Sequence, residues 1–262
     1  MSEVYEPCSP EEAVAHLRRA RQDPGLVRLE GAHALKHALR FGTEVAVVVT
    51  PDRPALLALV ASLAPDVLGP IDALAVEVPP ASWAELAPRG LPSPALAVAP
   101  RPAVSPEEVL AAAGRVVALD RPRHLGNLGA TVRVAAAAHA GGVLVLDGPD
   151  LWHPAVVRAA AGLTFALPCA NAPVLPPTDR PVVALDPAGT PLGRARLADD
   201  AVLLVGTERG GLDATLLARA DQRLAIPMRA GVSSLNLATA VAVALYHDLD
   251  GVPSPSERRS RR

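Results

Sequence analysis

Apolar residues along the chain alternate between helix-like stripes and short runs that are apolar throughout. Ser9-Pro10-Glu11-Glu12 sets a hydroxyl at an N-cap, proline at N1 and glutamate at N3, and so predicts a helix over 11–22. A strand is expected at 26–29, a helix at 32–41, a β-branched strand at 45–49, a helix at 54–63 and an apolar run at 73–78. Then Pro79, Pro80, Pro88, Pro92, Pro94, Pro100, Pro102 and Pro106 crowd together. Each fixes φ and removes a backbone donor, so the stretch reads as a linker or looped domain edge, with a boundary near 100–112. Ser105-Pro106-Glu107-Glu108 repeats the helix-start signal. Strands at 115–119, 143–146, 182–185, 202–205 and 224–227 follow, with helices at 130–139, 154–161 and 235–249. Strands apolar on both faces and separated by helices indicate a parallel sheet covered on both sides. The expected organisation is a small α/β domain over 1–104, a second α/β domain over 105–253 and a basic tail over 254–262.

Composition narrows the class. Half of the 262 residues are apolar, ample for a core and inconsistent with a disordered chain. No apolar run approaches the ~18 residues that a membrane span needs. Met1 to Glu6 carries two acids and no apolar stretch, unlike a signal peptide. Cys8 and Cys169 show no pairing pattern, so reduced thiols and a cytoplasmic location are expected. The formal charge is −2, which advertises no global basic field for a nucleic acid. Lys36 is the one lysine, and the arginine excess reads as a bias of the whole sequence. Aromatics make up 2%, so base stacking on aromatic platforms is not a main device. The arginine-ended tail reads as solvated chain ahead of an RNA clamp.

Three segments carry chemistry. From Asp120 a strand leads through Gly126-Asn127-Leu128-Gly129 into a helix, with Asn127 at the entry and Arg133 six residues on. A helix entry attracts an anion and Arg133 could reach a phosphate. A plain turn explains the glycines equally well, and Gly126 and Gly129 with Asp147 also fit a degenerate dinucleotide fingerprint. The second segment, Val205-Gly206-Thr207-Glu208-Arg209-Gly210-Gly211-Leu212, sets three glycines and one acid at the end of a buried strand, a ligand-site position. In the third, a strand ends at Ile226-Pro227-Met228, and Ser233-Ser234-Leu235-Asn236 opens an almost uncharged helix. Ser233 or Ser234 is the expected cap. That helix is apolar on nearly every face, which predicts burial all round and a subunit interface.

Asn-x-Gly-x-x-x-Arg, then Gly-x-Glu-x-x-Gly-Leu, then Ile-Pro-Met-(x)5-Ser-Leu-Asn resembles, in order and spacing, the three motifs of the SPOUT superfamily of SpoU/TrmH type. Its members are S-adenosylmethionine-dependent RNA ribose 2′-O-methyltransferases. Trp152 to Gly162 is similar to the family's stretch between the first two motifs, and the resemblance covers roughly 116–247. It implies a parallel-sheet α/β domain whose C-terminal segment forms a deep trefoil knot, a rare exception to unknotted topology. It also implies a small N-terminal L30e-like α/β module that binds RNA, whose start 29–50 resembles. Gly206, Ile226 and Leu235, with Met228, would clasp the cofactor S-adenosylmethionine. Arg133 would act on the ribose hydroxyl, with Asn127, Glu208, Ser234 and Asn236 at the other active-site positions. The resemblance further implies a homodimer through the last helix, an RNA substrate with rRNA ahead of tRNA, and no metal.

Residue chemistry refines this expectation. Attack of a 2′-oxygen on a sulfonium methyl depends on alignment and loss of a proton. The motifs hold no His, Asp or Lys suited as general base, and a guanidinium titrates above ~12. Arg133 is therefore expected to hold the RNA phosphate and stabilise the developing alkoxide. The RNA surface is left to Arg18, Arg19, Arg21, Arg28, Arg121, Arg123 and Arg229. Two other readings stand beside this one: a Rossmann-type enzyme using NAD or S-adenosylmethionine on a small molecule, and a catalytically inactive SPOUT RNA-binding protein. The first lacks Gly-x-Gly-x-x-Gly and leaves Ile226 to Asn236 unexplained; all five matched polar positions argue against the second.

Overall fold

The computed structural model describes residues 8–206 and 210–248. In chain order its elements are α1 (Pro10–Arg19), β1 (Leu26–Glu30), α2 (Ala32–Arg40), β2 (Val47–Thr50), α3 (Arg53–Leu63), α4 (Leu68–Leu74), β3 (Ala75–Glu77), α5 (Pro80–Leu86) and β4 (Leu96–Pro100). There follow α6 (Pro106–Ala111), β5 (Val116–Asp120), α7 (Leu125–Ala137), β6 (Gly142–Leu146), α8 (Pro154–Ala159) and β7 (Cys169–Ala172). The last are β8 (Val182–Pro191), β9 (Val202–Val205), α9 (Ala214–Ala218), β10 (Gln222–Ala225) and α10 (Leu237–Tyr246). Both Ser-Pro-Glu-Glu signals form capping boxes, at Ser9 and Ser105. The basic tail lies outside the described residues. No helix among the described residues is long and apolar enough to cross a membrane.

Two compact units emerge, Met1–Ala103 with Asp150–Ala166, and Val104–Pro149 with Leu167–Arg262. The first contains a four-stranded sheet in the order β1-β4-β2-β3, with β4 antiparallel to both neighbours and β2 parallel to β3. The proline-rich stretch is not a linker. It supplies α5 and the inner strand β4, because each structural proline sits where a missing donor costs little: Pro79 and Pro80 open α5, Pro100 ends β4, and Pro106 opens α6. The segment 150–166 packs with this unit, as α8 lies along β1. There Arg158 donates to buried Glu30, whose other oxygen stands 3.5 Å from buried Arg28. Gly162 turns at φ +79 directly against Ala34, where a Cβ would overlap backbone.

The second unit is built on a six-stranded, wholly parallel sheet in the order β10-β8-β9-β5-β6-β7. Its central strands β5, β6 and β9 are buried along their whole length, as near-continuous apolar sequences broken only by the terminal Asp120 of β5 require. β7 and α9 escaped the sequence reading, being short and carrying weak patterns (Cys-Ala-Asn-Ala and Ala-Thr-Leu-Leu-Ala). Burial raises the Cys169 thiol to about 12, so it is no nucleophile at neutral pH. The last helix also departs from expectation. α10 buries Leu237, Ala238, Val241, Ala244 and Leu245 and packs on α7, yet Val243 and Tyr246 are exposed, so within one chain it is buried on one face only.

Beyond α10 the chain is anchored by charge. Asp248 accepts from Arg115 at 2.6 and 3.0 Å and from the Leu197 N–H at 2.9 Å, and both side chains are largely buried. Burial is the largest single influence on this carboxyl and pushes its pKa up, but the Arg115 and Leu197 bonds with the surrounding positive charge outweigh it and hold the pKa low. A carboxyl depressed in the folded state stabilises above its unfolded pKa of ~3.9 and loses that contribution as pH falls toward the folded value. Asp248→Ala is expected to cost about 2 kcal/mol in urea unfolding at pH 7, because the buried Arg115 guanidinium loses its carboxylate and keeps only the Leu197 and Ala198 carbonyls and the more distant Asp199. The deficit should shrink as pH falls below about 4, where the unfolded carboxyl protonates first and the folded one only at lower pH. An equal deficit at pH 7 and pH 3 would show that Asp248 acts through packing alone.

Candidate active site

The first two motifs meet the third around the start of α10. α7 begins at Leu125, five residues earlier than its sequence suggested, so Gly126, Asn127 and Gly129 lie inside the helix and not in a loop. Glycine there costs about 1 kcal/mol of helix propensity, and a glycine pair looks like a turn. With no glycine loop, the dinucleotide fingerprint loses its phosphate cradle, and Asp147 stands exposed just past β6. Asn236 is the cap of α10, in place of Ser233 or Ser234: its Oδ1 accepts from the N–H groups of Ala238 (3.0 Å) and Thr239 (3.4 Å). Capping fixes the amide's orientation, so its Nδ2 is left to donate to Asn127 Oδ1 at 3.0 Å. One hydrogen bond thus ties the helix of the first motif to the loop of the third.

Immediately beside Asn236 lies a cavity of about 300 Å³, whose wall contains Leu235 and Leu237. It opens past Leu185–Val205, the last pair between β8 and β9. Gly206, Ile226, Met228 and Leu235, the four residues expected to hold a cofactor, all line it, together with Ser233 and Ser234. Its volume falls at the lower end of small-molecule sites. Gly206 is required for space: a Cβ there would overlap the backbone of Gly211 and Leu212. Sequence reasoning missed Leu185, Asp186 and Pro187, which line the cavity from β8. The available signal was an acid and a proline directly after the apolar run Val182 to Leu185, within a strand that continues to Pro191. Asp186 sits well below the usual carboxylate range, first through the Ala188 N–H and then through Arg223, against the opposing effect of burial.

Arg133 lies on the exposed face of α7, three residues past Ala130 and outside the cavity wall. Glu208 lies outside the described residues. The arginines expected to touch RNA divide. Arg28 is buried and donates to the Leu86 carbonyl at 2.6 Å, so it belongs to the core of the first unit and not to a surface. Its position between apolar neighbours on β1 left no sequence sign of Glu30 and Arg158 closing over it. Arg18 pairs with Glu85 at 2.7 Å, Arg19 with Asp23 at 3.1 Å and Arg121 with Asp120 at 3.0 Å. Arg21 donates to the carbonyls of Glu85 and Leu86, while Arg123 and Arg229 are exposed.

Known proteins resemble this chain in sequence and in fold. It is 33% identical over 150 residues to the 23S rRNA (guanosine(2553)-2′-O)-methyltransferase RlmP of Bacillus subtilis, a match covering 54% of this chain and 60% of that protein. It is 33% identical over 144 residues to the 23S rRNA (uridine(2479)-2′-O)-methyltransferase of Streptomyces viridochromogenes, covering 50% of each. The chain thus matches between half and 60% of the length of these relatives. In structure it is similar to the SpoU methyltransferase AviRb from Streptomyces viridochromogenes in complex with the cofactor AdoMet. The TM-score is 0.73 at 25% identity, covering 91% of this chain and 95% of that one. The model of the SpoU rRNA Methylase family matches residues 114–246, the sheet, the cavity and α10 together, and the chain belongs to that family.

Proposed function

We propose that this protein transfers a methyl group from S-adenosylmethionine to a ribose 2′-hydroxyl of RNA, with rRNA the substrate class ahead of tRNA. The observation that carries the reading is the convergence of Gly206, Ile226, Met228, Ser234 and Leu235 on one cavity, with Asn236 at its edge hydrogen-bonded to Asn127. The cavity suits the cofactor, since aliphatic side chains of Val205, Leu224 and Leu237 face it for a base and Gly206 permits close approach of backbone. When bound, S-adenosylmethionine supplies a methyl group already activated by its sulfonium. The chain's own contribution is positioning and charge. Arg133 holds an RNA phosphate and stabilises negative charge developing on the 2′-oxygen. Asn127 and Asn236 order the helix starts on which that geometry depends, and Glu208 and Ser234 complete the site.

The same reading covers the rest of the molecule. The first unit is an L30e-like RNA-binding module, supported by its small mixed sheet and helical cover. The segment after β10 forms a trefoil knot, supported by the way Ile226 to Leu235 close one cavity with Gly206 and Gly211. Two copies pair through α10, supported by exposed Val243 and Tyr246 on that helix and Val232 before it. The protein works in the cytoplasm. The test is transfer of labelled methyl to unmodified rRNA and tRNA transcripts. Alkali-resistant label in rRNA is expected; label confined to bases, or no label on RNA or on ribosomal particles despite cofactor binding, overturns the reading.

A further inference from the structure

Among the described residues lining the cavity, Asp186 is the one with an ionisable side chain. It follows Leu185, whose pairing with Val205 is the last between β8 and β9. Its Oδ1 accepts from the Ala188 N–H at 3.0 Å, and its Oδ2 accepts from Arg223 Nε at 2.6 Å and also from Nη2. A carboxylate offers about four acceptor positions, so these bonds leave one open, on Oδ1. The side chain retains 14% exposure, enough for one further contact. Arg223 also decides which kind of donor that contact suits. A carboxylate already neutralised by a guanidinium has little net charge with which to draw a sulfonium or an ammonium. It remains a strong acceptor for a neutral hydroxyl. Aliphatic walls suit a base ring, whereas vicinal hydroxyls need a polar acceptor. Asp186 stands within β8, just past its last pair with β9, and an acid carried on a parallel sheet serves ribose hydroxyls in other nucleotide-binding folds.

We propose that Asp186 accepts a hydrogen bond from a ribose hydroxyl of the cofactor's adenosine, with Arg223 as the positioning residue that holds the carboxylate in place. The inference rests on the cofactor reading of the cavity. It is tested by calorimetric binding of S-adenosylhomocysteine and its 2′-deoxy and 3′-deoxy analogues to the full chain. Wild type is expected to bind the parent compound about tenfold or more tighter than at least one deoxy analogue. Asp186→Ala is expected to bind all three alike, at the weaker level. Arg223→Gln is expected to narrow the ratio between parent and analogue severalfold, a change that a purely structural loss would not make. Equal affinity of wild type for all three compounds overturns the proposal without relying on any variant to fold. So does an Asp186→Ala variant that weakens all three by the same factor. Failure of wild type to bind S-adenosylhomocysteine at all overturns the cofactor reading itself, an outcome distinct from binding without ribose discrimination.

Discussion

Replacing Arg133 with alanine is expected to slow methyl transfer to RNA by about 10²–10³-fold while leaving S-adenosylhomocysteine affinity within about twofold. The split follows from position: Arg133 is on the exposed face of α7 and forms no part of the cavity wall. A planar guanidinium suits a phosphate and a developing oxyanion, so the role proposed for Arg133 is electrostatic. Arg133→Lys keeps the charge and loses the planar fork, and should fall between wild type and Arg133→Ala. Its pH–rate profile should run parallel to that of wild type. A steep wild-type profile abolished in Arg133→Lys, with RNA affinity intact, would instead make Arg133 the proton acceptor. A parallel loss of cofactor affinity in Arg133→Ala would place the residue in cofactor binding.

Gly206→Ala is expected to weaken S-adenosylhomocysteine binding by at least tenfold and to destabilise the second unit by about 1–3 kcal/mol. The added methyl would collide with the backbone of Gly211 and Leu212, which cannot swing aside as a side chain tip would. Either the backbone of Gly211 and Leu212 shifts or β9 does, and both deform the cavity wall where Gly206 lines it. Calorimetry and urea unfolding of the same variant separate the two effects. Unchanged affinity beside a lowered urea midpoint would mean that the loop relaxes away from the cavity, and Gly206 would then be a packing residue only.

The glycines of the first motif show where sequence reasoning stops. Gly126 and Gly129 look like loop formers by local propensity, yet both sit in the first turns of α7, whose packing on α10 outweighs the propensity cost. The prolines between 79 and 106 misled in the same way: their density suggested a linker, but their positions at helix starts and a strand end allow an inner strand. α10 is the reverse case. Its uniform apolarity predicts burial all round, while within the chain only one face is covered.

The sequence alone determined the alternation of apolar strands and helices, hence the parallel sheet, because strands buried on both faces must be apolar at every position. It also singled out Gly206, Ile226, Met228, Ser234 and Leu235, which the fold brings to one cavity. Tertiary structure decided the rest. That Asn236 rather than a serine caps α10, and so orients its amide toward Asn127 109 residues away, depends on α7 and α10 packing together. That Arg28 is core and Asp186 is cavity wall depends on Arg158 and Arg223 arriving from distant segments. Periodicity reports only which face of an element is buried; the partner on that face comes from elsewhere in the chain and is set when the elements pack.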